Sequence, residues 1–126
     1  MRVFPTGASR DTETGKLDFE GALSPEVLWE FVAYMERHSA QDGTRRSADN
    51  WQRGWSRDVS MKSLMRHVMD LWLLHRGVRR ARPEDGHVPT MTEALGGAFF
   101  GVMSYWLQWL REQDVSGSSD ISAGEQ

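Results

Sequence analysis

A chain of 126 residues with 39% hydrophobic content is long enough to bury one core and reads as a single domain. No stretch approaches the roughly 20 uninterrupted apolar residues of a membrane-spanning helix, and the absence of cysteine excludes disulfides, thiolate zinc sites and a cysteine nucleophile. The formal net charge of -3 argues against stable nucleic-acid binding, which draws on neutralised phosphates. The N-terminus lacks the basic segment, apolar run and small-residue cleavage site of a secretory signal, so a cytoplasmic protein that does not engage a membrane is expected.

Residues 1–22 carry Gly7, Gly15 and Gly21 among charges without an apolar period, and read as an extended or looped arm. A first helix opens at Ser24-Pro25-Glu26, a capping residue, a proline that loses no needed donor and an acid at the positive helix end. It is expected to reach about His38, with Val27, Leu28, Phe31, Val32, Tyr34 and Met35 on one apolar face and Glu26, Glu30 and Arg37 opposite. Glu36 falls at the edge of that face beside Trp29.

Residues 39–58 form a long polar connection that Trp51 and Trp55 are expected to pin to the core, either one also offering a planar face to a purine base. A second helix is expected from about Ser60 to Gly77, a residue suited to the left-handed end of a helix. Its apolar residues, from Leu64 to Leu73, cover about 200° of the circumference, which suits a central helix or one covered by a partner. Arg66, His67 and Asp70 occupy the remaining arc. The basic cluster Arg76 to Arg82 could meet phosphates, but is read as complementing a helix end.

A third helix opens at Thr90-Met-Thr-Glu93, a capping box, and is expected to end near Glu112. Leu95, Phe99, Val102, Trp106 and Leu110 make its main apolar face, while Glu93, Gly97, Gly101 and Ser104 line a second one. Interior glycines cost roughly 1 kcal/mol each against alanine, so Gly96, Gly97 and Gly101 imply that a backbone or a ligand comes close. Residues 114–126 read as a disordered tail. The expected fold is therefore all-α: a compact bundle of three main helices over residues 23–113, with an extended N-terminal arm, assembling as a homodimer or higher homo-oligomer because the domain is small and its apolar arcs are wide.

Three carboxylates, Glu36, Asp70 and Glu93, come one from each helix, and a packed bundle could bring them together. Magnesium takes oxygen ligands, commonly one or a few carboxylates with water and substrate phosphates, so such a cluster would suit a nucleoside triphosphate, with Glu36 and Asp70 as catalytic residues. Each also has a structural reading: Glu36 beside a basic neighbour, Asp70 four residues from Arg66, Glu93 as a cap. The histidines show no metal-binding spacing, and no nucleophile elbow, Walker loop or dinucleotide fingerprint is present.

Several segments in order, Gly-Ala-Ser-Arg-Asp at 7–11, Gly-Lys-Leu-Asp-Phe-Glu-Gly at 15–21, Leu-Ser-Pro at 23–25, Asp-Asn-Trp-Gln at 49–52 with Gly54, and Met-Lys-Ser at 61–63 followed by Arg66-His67, resemble the dATP/dGTP diphosphohydrolase N-terminal family of phage proteins. The resemblance covers roughly residues 7–77. It is related in concept to the MazG-like all-helical enzymes and implies a magnesium-dependent nucleoside triphosphate pyrophosphohydrolase in the host cytoplasm. The paired Glu-x-x-Glu and Glu-x-x-Asp motifs of MazG-like enzymes are not intact around Glu36 or Asp70. Glu36, Asp70 and Glu93 are the expected metal ligands by helix position. Arg10 and Lys16 are expected to bind phosphate, and Asn50, Trp51, Arg66 and His67, in or beside the matched segments, complete the expected substrate-binding set. The alternatives are a noncatalytic nucleotide-binding module and a helical oligomeric interaction protein.

Overall fold

The computed structural model describes residues 2–3, 9–10, 15–41, 50–54 and 56–117, with backbone alone for 2–3, 9–10, 39–41, 50, 53 and 115–117. Two two-residue strands, β1 (Arg2–Val3) and β2 (Ser9–Arg10), pair antiparallel with Arg2 opposite Arg10. Everything larger is helical: α1 (Phe19–Ala22), α2 (Pro25–Gln41), a 3-10 turn (Asn50–Arg53), α3 (Arg57–His75) and α4 (Met91–Gly117). The all-α architecture with three main helices is as expected. The arm read as loop contains a helical turn, α1, because Asp18 accepts a hydrogen bond from the Gly21 backbone N–H at 2.8 Å.

The helix ends follow their capping chemistry. Ser24 Oγ accepts from the Val27 N–H at 3.2 Å and starts α2, which runs three residues past His38. α3 starts at Arg57, before the expected Ser60, because Ser56 Oγ accepts from the Val59 N–H at 3.2 Å. It ends with Gly77 at φ 78°, the Val78 N–H donating to the Leu73 carbonyl at 2.8 Å and the Gly77 N–H to Leu74 at 3.0 Å, a Schellman closure. At α4 the capping box is complete: Glu93 N–H donates to Thr90 Oγ1 at 3.2 Å, and Thr90 N–H to Glu93 Oε1 at 2.8 Å. α4 continues to Gly117, so residues 114–117 belong to the helix and not to a tail; 118–126 lie outside the described residues.

α3 and α4 form an antiparallel hairpin whose seam is made of small residues. Ser60 Oγ and Ser104 Oγ are fully buried and 3.0 Å apart, and Ser104 also donates to the Gly101 carbonyl at 3.3 Å. A Cβ at Gly101 would come within 2.8 Å of the Leu64 Cβ, and one at Gly97 would collide with the His67 imidazole. On the α2 side, Gly96 lies under the Tyr34 ring, where a Cβ would stand 2.7 Å from the ring, and Phe31 stacks on Phe99 at 4.5 Å between centroids. The glycines therefore admit side chains of this chain. Gly96, Gly97, Gly101 and Ser104 are all buried.

The face of α4 expected to be its main apolar one points outward instead: Leu95, Phe99, Val102, Trp106 and Leu110 are all exposed. The buried apolar side chains among the described residues are Phe31, Tyr34 and Ala94. The 3-10 turn is fastened to α4 at two points. Trp51 meets Phe100 edge-on at 5.4 Å, and the Arg111 guanidinium donates to the Gln52 carbonyl at 2.6 Å. Trp51 thus pins the connection as expected, while Trp55 lies outside the described residues. No described helix is long and apolar enough to cross a membrane.

Candidate functional site

A polar cleft of about 490 Å3 opens where α2, α3, the start of α4 and the loop between α3 and α4 meet. α2 supplies Tyr34 and His38, one turn apart on the same face, with their rings stacked at 5.8 Å. α3 supplies His67, and α4 supplies Glu93. The loop supplies Arg82, Asp85 and His87 through a tight turn: Gly86 N–H donates to the Arg82 carbonyl and Arg82 N–H to the His87 carbonyl, each at 2.8 Å, and His87 N–H to Asp85 Oδ1 at 2.9 Å. Gly86 stands at φ 72°, a conformation that glycine adopts without strain.

The loop is tied to both helices that it joins. Arg82 reaches back to Asp70 on α3, guanidinium to carboxylate at 3.5 Å, and His87 Nε2 meets Glu93 Oε1 on α4 at 2.8 Å. Of the basic cluster, Arg76 lies over the Trp72 ring at the helix end, 5.9 Å from its centre, while Arg82 turns to the cleft. The basic residues thus divide between helix end and site.

Burial pushes the His67 imidazole below the ordinary histidine value; Asp70 opposes this, and Arg82, Arg66 and His38 reinforce it. Among the described residues His67 Nδ1 is buried without a hydrogen-bond partner, and the ring lies close on Gly97. Burial also raises the Tyr34 phenol, aided by the Glu93 charge and opposed by Arg82. For Glu93, partial burial acts upward, but hydrogen bonds from His87 and from Thr90 outweigh it and leave the carboxyl below its usual range.

Only part of the expected site converges. His67 and Glu93 line the cleft, and Asp70 adjoins it through Arg82. Glu36 does not join them: it is exposed and stands about 200° around α2 from Tyr34, hence on the opposite side of the helix. Among the described residues no group of three or more histidines and carboxylates is placed to hold a metal ion, so Glu36, Asp70 and Glu93 do not form the expected cluster. Lys16 and Arg66 are exposed and do not line the cleft. Trp51 lies two turns further along α4 and lines an apolar groove. The side chains of Arg10 and Asn50 lie outside the described residues.

Four cleft residues were not anticipated, Tyr34, His38, Asp85 and His87, while Arg82 comes from the basic cluster whose phosphate reading was set second. The four-residue spacing of Tyr34 and His38 was a usable signal, since it places both on one helical face. Asp85 and His87 carried none, because their position depends on a turn and on the contact that Arg82 makes twelve residues away. Fold and cleft together define an all-helical protein with a histidine-rich polar cleft. No family model, curated protein or solved structure matches the chain.

Proposed function

We propose that the cleft binds the polyphosphate of a nucleoside triphosphate and that the chain is a (deoxy)nucleoside triphosphate pyrophosphohydrolase. The observation that carries this reading is His67, whose imidazole burial pushes below the ordinary histidine value, placed in one cleft with the Arg82 guanidinium and two further histidines. A guanidinium matches phosphate oxygens through a planar fork of donors, and the volume lies within the range of small-molecule sites. A neutral imidazole can accept the proton of an attacking water. Water would add to the α-phosphorus, the bond to the oxygen bridging to the β-phosphorus would break, and pyrophosphate would leave with nucleoside monophosphate as the other product. His67 would take the proton released from the water, and Arg82 would offset the charge that develops on the phosphoryl oxygens.

The carboxylates do not fit a resident magnesium site built by the protein, since Glu36 points away, Asp70 is paired with Arg82, and Glu93 is held by Thr90 and His87. Magnesium belongs to this proposal as part of the substrate, arriving as the nucleotide complex. The same engaged carboxylates favour one second reading, a module that binds the nucleotide without cleaving it.

Pyrophosphate release from a panel of dNTPs and NTPs, with and without magnesium, alongside direct binding on the same protein, separates the two. Release that is lost in His67→Gln while binding persists supports the hydrolase, and binding without release supports the module. Absence of both removes the nucleotide from the cleft.

A further inference from the structure

We propose that the outer face of α4 is an isologous interface with a second copy of this chain, the two α4 helices crossing antiparallel near Val102. This goes beyond the reading of the cleft and stands without it. Leu95, Phe99, Val102, Trp106 and Leu110 project from one side of α4 and are between 38 and 61% exposed. Their three- and four-residue spacing forms a continuous ridge of the kind that packs helix against helix. Residues 94–110 include no charged side chain, so the ridge is uninterrupted over its length.

Area supports a stable contact. The exposed parts of these five side chains amount to roughly 500 Å2, and Val27 and Met61 on the flanking helices bring the patch to roughly 700 Å2, close to the 800 Å2 that each partner contributes to a standard interface. Contiguous apolar patches of that size on soluble chains mark interaction surfaces. Val27 adjoins the ridge through the pocket that it shares with Leu95 and Phe99, and Met61 through one shared with Val102 and Trp106.

The order of side chains identifies the occupant. The ridge reads leucine, aromatic, valine, aromatic, leucine from either end. A second α4 laid on it antiparallel sets Phe99 of each copy near Trp106 of the other, Leu95 near Leu110, and Val102 near itself. An isologous interface requires such self-complementarity, with the same patch used on both sides. The ridge lacks the charged groups through which a different macromolecule is selected, and the structure assigns it to another copy.

The chain has no cysteine, so a single introduced one reports the geometry cleanly. Under mild oxidation, full-length Val102→Cys is expected to form a disulfide-linked dimer, and a mixture of Phe99→Cys with Trp106→Cys a linked pair. Trp29→Cys, on the exposed side of α2, is expected to stay unlinked. In sedimentation from about 1 to 100 µM the wild type is expected to be dimeric. Trp106→Glu is expected to weaken the dimer roughly 100-fold, since it sets an unpaired charge in the contact, with the helical circular dichroism unchanged because position 106 is exposed in the single chain. If Trp106→Glu loses its helical signal, Leu110→Lys takes its place. A wild type that is monomeric throughout overturns the proposal, as does a dimer that survives these charges. Equal linking by Val102→Cys and Trp29→Cys overturns the placement of the axis.

Discussion

Gly97 passes beneath the imidazole of His67 so closely that no larger residue fits while the ring stays where it is. The contact joins the α3–α4 seam to the cleft, since the ring that covers the glycine also lines the site. In an exposed helix, glycine to alanine stabilises by about 1 kcal/mol. Here overpacking against the imidazole ring reverses the sign, and Gly97→Ala is expected to lower stability by about 1–2 kcal/mol. Chemical denaturation checks this; a more stable variant would show that the ring does not lie on the glycine.

The seam also makes Ser60 and Ser104 a coupled pair. Ser60→Ala and Ser104→Ala are each expected to cost about 1 kcal/mol, and the double variant less than their sum by about 0.5–1 kcal/mol. Ser104 retains the Gly101 carbonyl as an acceptor when Ser60 is lost, which limits the cost of that single change. A double-mutant cycle in urea measures the coupling, and strict additivity would mean that the two hydroxyls do not meet.

His67 sets a pH dependence of known sign. Its folded value lies below the ordinary histidine value of about 6.5, so between the two the unfolded chain binds the extra proton. The stability gained by keeping the ring neutral is present above about pH 6.5 and falls away as pH drops toward the folded value. Glu93, with a lowered value, contributes stability above the usual carboxylate range and loses it as pH falls through its folded value, a separate and more acidic window. Denaturation midpoints from pH 7.5 to 5.5 are expected to decline in the wild type and to decline less in His67→Gln. Equal slopes in the two proteins would remove His67 as the source.

Thr90 links a helix cap to the cleft, because the Glu93 carboxylate that receives its backbone N–H also holds His87. Thr90→Ala is expected to cost about 1 kcal/mol through the lost cap. Faster amide exchange in the first turn of α4 is the second expected signature, and unchanged exchange there would mean that the box is not formed in solution.

On the proposed nucleotide reading, Arg82→Ala is expected to weaken nucleotide binding by about tenfold or more, since it would remove a charge-assisted contact to phosphate. Fluorescence titration at two salt concentrations checks it. The wild type should lose affinity with salt more steeply than the variant, and parallel salt dependences would place the phosphates elsewhere.

Those features that depend on short-range chemistry were legible in the sequence. Ser24, the Thr90 and Glu93 box and Gly77 each marked a helix end through a bond made within a few residues. The start of α3 was missed because Ser56 and Ser60 both satisfy the capping pattern, and only the fold shows that one caps while the other is buried in the seam. Periodicity located both faces of α4 but not which would be covered. The small stripe won because Gly97 and Gly101 let α3 approach, which residues as large as Phe99 and Trp106 cannot do. For the cleft, helical position alone suggested that Glu36, Asp70 and Glu93 could meet. The rotation of α2, set by Phe31 on Phe99 and Tyr34 on Gly96, turned Glu36 away and brought His38 in.

The antiparallel hairpin of α3 and α4 has a bearing on the order in which the molecule assembles. Its partners are neighbours in the chain, and the connector is tied at Asp70–Arg82 and His87–Glu93. Contacts between segments so close in sequence form early, since little loop entropy opposes them. α2 reaches the hairpin from across residues 42–49 and rests on the narrow footing of Phe31 and Tyr34. This smaller contact is expected to form last and to release first when the chain opens locally. The wall of the cleft that holds Tyr34 and His38 is thus expected to be the least stable part of the site, with faster amide exchange than the seam of small residues.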